Sequence, residues 1–177
     1  MPILPQLVQA GISSLKIEGR MKTAYYVAVV VGAYRRALDL LARDEDAFAE
    51  ALPALLEELR CASHRESDTG FLLGTPAIPG GAEGFHQARE FIGMVTESAA
   101  GDQPAQLQLK NRFYAGDALE LMTPGGIVPF TAEPFVREST GETLTTLGIG
   151  GERIRLTLPA CAQTGDMVRG PVRNHRQ

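Results

Sequence analysis

Apolar positions recur at helical spacing through the first third of the chain and at strand spacing through the second half. Residues 2–10 read as a short helix ended by Gly11, because glycine accepts the left-handed backbone that closes a helix. Ile12 to Glu18 then reads as a strand running into the turn Gly19-Arg20. Thr23 stands where an N-cap belongs. Val27, Val30, Val31, Tyr34, Leu38 and Leu41 follow at helical spacing, predicting one apolar stripe on a long helix that ends near Arg43. Beyond the acidic link Asp44-Glu45-Asp46, Phe48, Leu52, Leu55, Leu56 and Leu59 predict a second helical stretch. Proline inside a helix costs about 3 kcal/mol, so Pro53 is expected in a first turn, with a break near Ala51-Leu52.

Residues 70–87, GFLLGTPAIPGGAEGFHQ, are too rich in Gly and Pro for regular structure and read as a linker or irregular lid. Short β-like runs then follow: Phe91 to Glu97, Ala105 to Lys110, Asp117 to Met122, Ile127 to Thr131, Pro134 to Arg137, Thr143 to Leu147, Arg153 to Leu158 and Asp166 to Arg169. The pairs Gly101-Asp102, Gly116-Asp117 and Gly165-Asp166 suit tight turns leading into strands. The expected architecture is α+β, helices and one strand followed by a small antiparallel barrel or sandwich.

With 177 residues, the chain is too short for a complete eight-fold α/β barrel, which needs roughly 250. At 44% hydrophobic and 21% charged residues it can bury a core, and its longest apolar stretch, around Val27 to Val31, falls far short of the ~20 residues that span a bilayer. The N-terminus lacks the pattern of a secretory signal, so no membrane partner and a cytoplasmic location are expected. Cys61 and Cys161 lie far apart with no ligand spacing, and no metal site is expected from them. The net charge of -4 argues against a generally basic nucleic-acid binder, but it is uneven. Seven acids between residues 39 and 58 face only Arg43, whereas residues 151–177 carry five arginines against Glu152 and Asp166.

The run Ile12 to Glu18 presents a structural problem. A strand flanked by helices belongs to a parallel sheet, yet no second strand precedes residue 90. Unpaired backbone groups are costly to bury, so the chain is expected to be the C-terminal part of a longer α/β protein, unless this strand joins the β-region.

Alternation along SSLKIEGR sets Ser14, Lys16, Glu18 and Arg20 on one face and Leu15 and Ile17 on the other. Ligands and catalytic groups of parallel α/β barrels gather at the C-terminal ends of strands. Lys16 and Arg20 would then clamp an anion while Glu18 orients it or moves a proton; the alternative is a structural salt-bridge ladder. His64 and Arg65, just after a helix, offer an acid/base or RNA contact, or a cap. Tyr25 and Tyr26 present hydroxyls to a pocket, or pack. Lys110, Asn111, Arg112, Phe113 and Tyr114 read as one hairpin loop in which cations sit beside aromatics, suited to phosphate contact with base stacking or to holding the turn itself. No Ser-His-acid spacing supports nucleophilic catalysis.

The stretch LPQLVQAGISSLKIEGRMKTAYYVAVVVGAYRRALD resembles the end of the catalytic barrel in the peptidase U32 family, whose members are often called collagenase-like proteases. ASHRESDTGFLLG, FIGMV and KNRFYAGDALEL continue the resemblance across nearly the whole chain. It implies residues 1–65 as the end of a TIM-like α/β barrel with following helices, 66–88 as a linker, 89–172 as the C-terminal β-barrel domain and 173–177 as a basic tail. Full-length relatives carry a four-cysteine iron-sulfur site, and some hydroxylate tRNA or rRNA bases with prephenate as a required metabolite. Those cysteines would lie upstream of Met1, so no cofactor is expected in this chain, and alone it is expected to be inert. With the residue reading above, Lys16, Glu18 and Arg20 are expected as one catalytic wall, and Tyr25, His64, Arg65, Lys110, Asn111 and Arg112 as substrate or RNA contacts. The expected partners are tRNA or rRNA and the missing N-terminal barrel portion. A collagenase-like peptidase and a non-enzymatic protein-interaction module remain as alternatives.

Overall fold

Three helices open the chain: α1 (Leu4–Gln9), α2 (Ala24–Arg43) and α3 (Glu45–Arg60). The computed structural model describes residues 1–65, 67–75, 85–100 and 103–173. α1 stops as expected. Gly11, at φ 78°, sends its N–H to the Val8 carbonyl and Ile12 sends its own to Leu7, which satisfies two carbonyls of the last turn. The Thr23 hydroxyl accepts from Tyr26 N at 3.2 Å, so α2 has the predicted cap. Asp44 ends α2 and caps α3 by accepting from Asp46 N at 3.0 Å.

Two expectations for these helices fail. α3 runs unbroken through Pro53. The carbonyl deprived of its partner belongs to Ala49, which like Pro53 is exposed and open to water, while Phe48 and Leu55 on either side are buried in one cluster. Tertiary packing therefore holds the helix across the interruption. In α2 the buried row is Tyr25, Val29, Ala33 and Ala37, one residue every four, whereas Val27 and Val31 stay 38% and 44% exposed. Tyr34, Leu38 and Leu41 do pack against the core of Leu4, Ala37, Phe48 and Leu55. The small alanines face inward because two helices approach most closely where side chains are short.

Ile12 to Glu18 forms no strand; it is exposed and outside every ladder among the described residues. After α3 the backbone of His64 pairs with that of His86, N–H to carbonyl in both directions at 3.0 and 2.8 Å. This antiparallel bridge closes the base of the Gly/Pro-rich segment, of which Glu66 and residues 76–84 lie outside the described residues.

The chain divides into two units, 1–88 and 89–177. The second is built from β1 (Arg89–Glu97), β2 (Ala105–Leu109), β3 (Phe113–Tyr114), β4 (Ala118–Thr123), β5 (Gly126–Thr131), β6 (Phe135–Arg137), β7 (Thr143–Leu144), β8 (Thr146–Leu147), β9 (Arg153–Leu156) and β10 (Met167–Pro171). Each predicted β-run holds at least one strand. Thr143 to Leu147 splits, because Thr145 gives its carbonyl to Ala115 N and the chain changes partner there, β7 pairing with β6 and β8 with β3.

Eight strands form one antiparallel sheet in the order β5-β4-β10-β1-β2-β9-β6-β7, with β3-β8 as a separate pair. Both edge strands, through Val128 and Phe130 of β5 and Leu144 of β7, pack on the single core that contains Ile92, Leu107, Leu109, Phe113, Leu121, Phe135 and Leu156. The architecture is α+β. At Gly116-Asp117 and Gly165-Asp166 the turn is the same: a glycine at positive φ, then an aspartate whose carboxylate accepts the N–H three residues back, Tyr114 or Gln163, at 2.9 Å. The third such pair, Gly101-Asp102, lies outside the described residues.

Candidate nucleic-acid interface

Lys16, Glu18 and Arg20 are joined locally. The Glu18 carboxylate accepts from Arg20 N at 3.0 Å and lies 3.9 Å from the Lys16 ammonium, with the two side chains 70% and 87% exposed. An ion pair so open to water adds little to stability, so this charge is not needed for folding of the unit. No described residue forms an ion pair with Arg20.

A second group lies around Phe85. Lys22 sits in the turn closed by its own N–H on the Gly19 carbonyl, one residue before the Thr23 cap. Its ammonium is 5.0 Å from the Tyr26 ring centroid and 5.2 Å from that of Phe85. Arg65 and Phe85 are the residues next to the His64–His86 bridge, so antiparallel register sets them opposite each other, and the guanidinium lies 5.0 Å from the Phe85 centroid. The ring is still 59% exposed. Among the described residues no carboxylate pairs with Lys22 or Arg65. His64 turns Nδ1 toward the Ala62 carbonyl at 2.8 Å, and its ring is 6.3 Å from that of His86. The sequence pointed to His64 and Arg65 but not to Lys22, Phe85 or His86, since a bridge over twenty-two positions leaves no periodicity to read.

Tyr25 is no surface contact. It is 3% exposed and donates its hydroxyl to the Cys61 carbonyl at 3.1 Å, closing the C-terminus of α3. Tyr25→Phe should therefore cost about 1 kcal/mol of stability and leave ligand binding unchanged, as read by urea unfolding and a binding titration in parallel.

The expected hairpin at Lys110 to Tyr114 is instead a crossing between sheets, because β2 lies between β1 and β9 while β3 pairs with β8. Asn111 is used in holding it, donating its carboxamide to the Phe91 carbonyl at 2.8 Å. Phe113 is fully buried against Phe135, with ring centroids 4.6 Å apart, so it cannot stack on a base. Tyr114 is the exposed ring, and the Arg173 guanidinium covers it at 4.3 Å while also bonding Asp117. Lys110 and Arg112 are exposed, with the Arg112 guanidinium lying over the bare backbone of Gly148.

The thiols do not fit a cluster. Cys61 is buried with Sγ on the Glu57 carbonyl, and Cys161 is exposed in the other unit. Among the described residues no set of three His, Cys, Asp or Glu side chains is gathered as for a metal, and no helix is long and apolar enough to cross a membrane.

Residues 1–80 match Peptidase family U32, and residues 87–169 match the Peptidase family U32 C-terminal domain. The chain is 35% identical to tRNA hydroxylation protein P of Escherichia coli over 87% of its length. It is 37% identical to tRNA hydroxylation protein P1 of Bacillus subtilis over 68%, and 33% identical to the Haemophilus influenzae protein P over 82%. It spans about a third of these relatives, 34%, 29% and 32% of their lengths respectively. A crystal structure of the C-terminal domain of a Geobacillus thermoleovorans protein assigned to the U32 peptidases matches 45% of this chain and 98% of its own, at 22% identity and a TM-score of 0.42.

Proposed function

Since the chain belongs to peptidase family U32, we propose that it acts as the C-terminal part of a tRNA-hydroxylating protein, with residues 12–20 forming one wall of the active site and the 89–173 unit helping to hold RNA. What carries this reading is the identity of 33–37% with relatives named for tRNA hydroxylation, across both units. The exposed 13–18 segment, outside every ladder among the described residues, supports it: a neighbouring parallel strand of a TIM-like barrel would pair with its backbone. Lys16 and Arg20 then hold the anionic groups of substrate or co-substrate. Glu18, kept in place by Arg20 N, orients the reacting group or moves its proton. An iron-sulfur cluster held by four cysteines in such a protein would need ligands from outside this chain, which has only Cys61 and Cys161.

The test is a chimera in which this chain replaces the matching third of the E. coli relative in cells lacking that relative, read as hydroxylated nucleoside in tRNA. Restored hydroxylation is expected. Lys16→Ala, Glu18→Gln and Arg20→Ala should each lower it by on the order of a hundredfold without altering thermal unfolding. Full activity in all three variants would remove them from the site, and gelatin cleavage without hydroxylation would favour a peptidase.

A further inference from the structure

We infer that Lys22, Tyr26, Arg65 and Phe85 form a clamp for single-stranded RNA, in which the two cations take phosphates and the open phenylalanine ring takes a base. This deepens the tRNA reading and rests on it. The chain is acidic overall, at -4, yet these two cations stand together with no carboxylate among the described residues to neutralise them. An aromatic ring 59% exposed to water, with an ammonium and a guanidinium 5.2 and 5.0 Å from its centre, contributes little to any core. Phosphate beside base is the chemistry that such a pair of features recognises, because every nucleobase offers a π-face and every nucleotide link a charge.

The geometry is also held in advance. Lys22 and Tyr26 are set by the capped start of α2, and Arg65 and Phe85 by the His64–His86 bridge, so four side chains from three segments are placed by backbone hydrogen bonds before any ligand arrives. Stacking requires a base that is not already paired and stacked, which selects a loop or strand of RNA over a duplex.

The test uses the 177-residue chain and a fluorescent oligouridylate of about ten nucleotides, titrated by anisotropy at several salt concentrations. Lys22→Ala with Arg65→Ala should weaken binding about tenfold at low salt. It should also flatten the plot of log affinity against log salt by about 1.4, two phosphate contacts at roughly 0.7 each. Phe85→Leu should cost about tenfold with the slope unchanged, and Phe85→Tyr, which keeps a stacking ring, should bind as the wild type does. Wild-type binding by the double variant and Phe85→Leu, with loss instead in Lys110→Ala/Arg112→Ala, would overturn the clamp and leave the RNA reading standing. Absence of any binding by the unaltered chain at low salt would overturn both. Circular dichroism of each variant separates lost contact from lost fold.

Discussion

Glu120→Ala should destabilise the β-unit by about 3 kcal/mol, the usual cost of breaking a buried ion pair by removing one partner. Glu120 on β4 receives Arg169 Nε from β10 at 2.6 Å and Arg89 Nε and Nη2 from β1 at 3.1 and 3.0 Å. The Arg169 side chain is only 4% exposed, so removing the carboxylate takes a charged hydrogen-bond partner from a guanidinium that water scarcely reaches. Because β10 lies between β4 and β1, the three charges tie these neighbouring strands together. Calorimetry is expected to show the transition of residues 89–173 falling by at least about 12 °C while that of the helical unit stays in place. A shift no larger than that for Glu152→Ala, on a more open pair, would show that the triad is dispensable.

The same carboxylate makes a prediction about acid. Burial raises the Glu120 pKa, but the hydrogen bonds and charges of Arg89 and Arg169 more than offset this and hold it below the ordinary value. Its stabilisation is therefore complete above the ordinary carboxylate range. It is lost as pH falls through the lowered folded value, since the unfolded chain binds the proton first. In the Glu120→Ala variant this part of the acid sensitivity should vanish.

Phe113→Ala should destabilise the β-unit by about 4 kcal/mol, within the range for emptying an aromatic site in a core. Phe113 is fully buried, its ring meets Phe135 at 30° and 4.6 Å, and among the described residues its strand pairs only with β8, so no other ladder among them holds the crossing in place. Tyr114→Ala next door, at a 37% exposed position, should cost far less. Urea unfolding of the two variants separates a core aromatic from a surface one within the same motif. Equal effects would contradict the packing described.

Much of this was legible because it is local. The cap at Thr23, the left-handed stop at Gly11 and the Gly-Asp turns depend on a few adjacent residues, and the period-two runs beyond residue 90 located most of the strands to within a few positions. The errors occur where a partner distant in sequence decides. α3 passes through Pro53 because Phe48 and Leu55 are gripped on either side, and α2 turns alanines inward because a second helix approaches there. Ile12 to Glu18 has the alternation of a strand and forms none, since a strand exists only in a ladder with its neighbour.

The site follows the same division. Lys16, Glu18 and Arg20 share a face by spacing alone, and the structure keeps them together through Glu18. Tyr25, Asn111 and Phe113 looked equally available in the sequence, but burial and backbone carbonyls far along the chain have taken them. The helices, most of the strands, the Thr23 cap and the charge pattern were determined by the sequence itself, since propensity and side-chain period act over a few residues. Which face of α2 is buried, which strands pair, that Lys22 and Arg65 meet on Phe85 and that Glu120 sits between two arginines were decided only by tertiary structure, because long-range contact and the exclusion of water are properties of the folded chain.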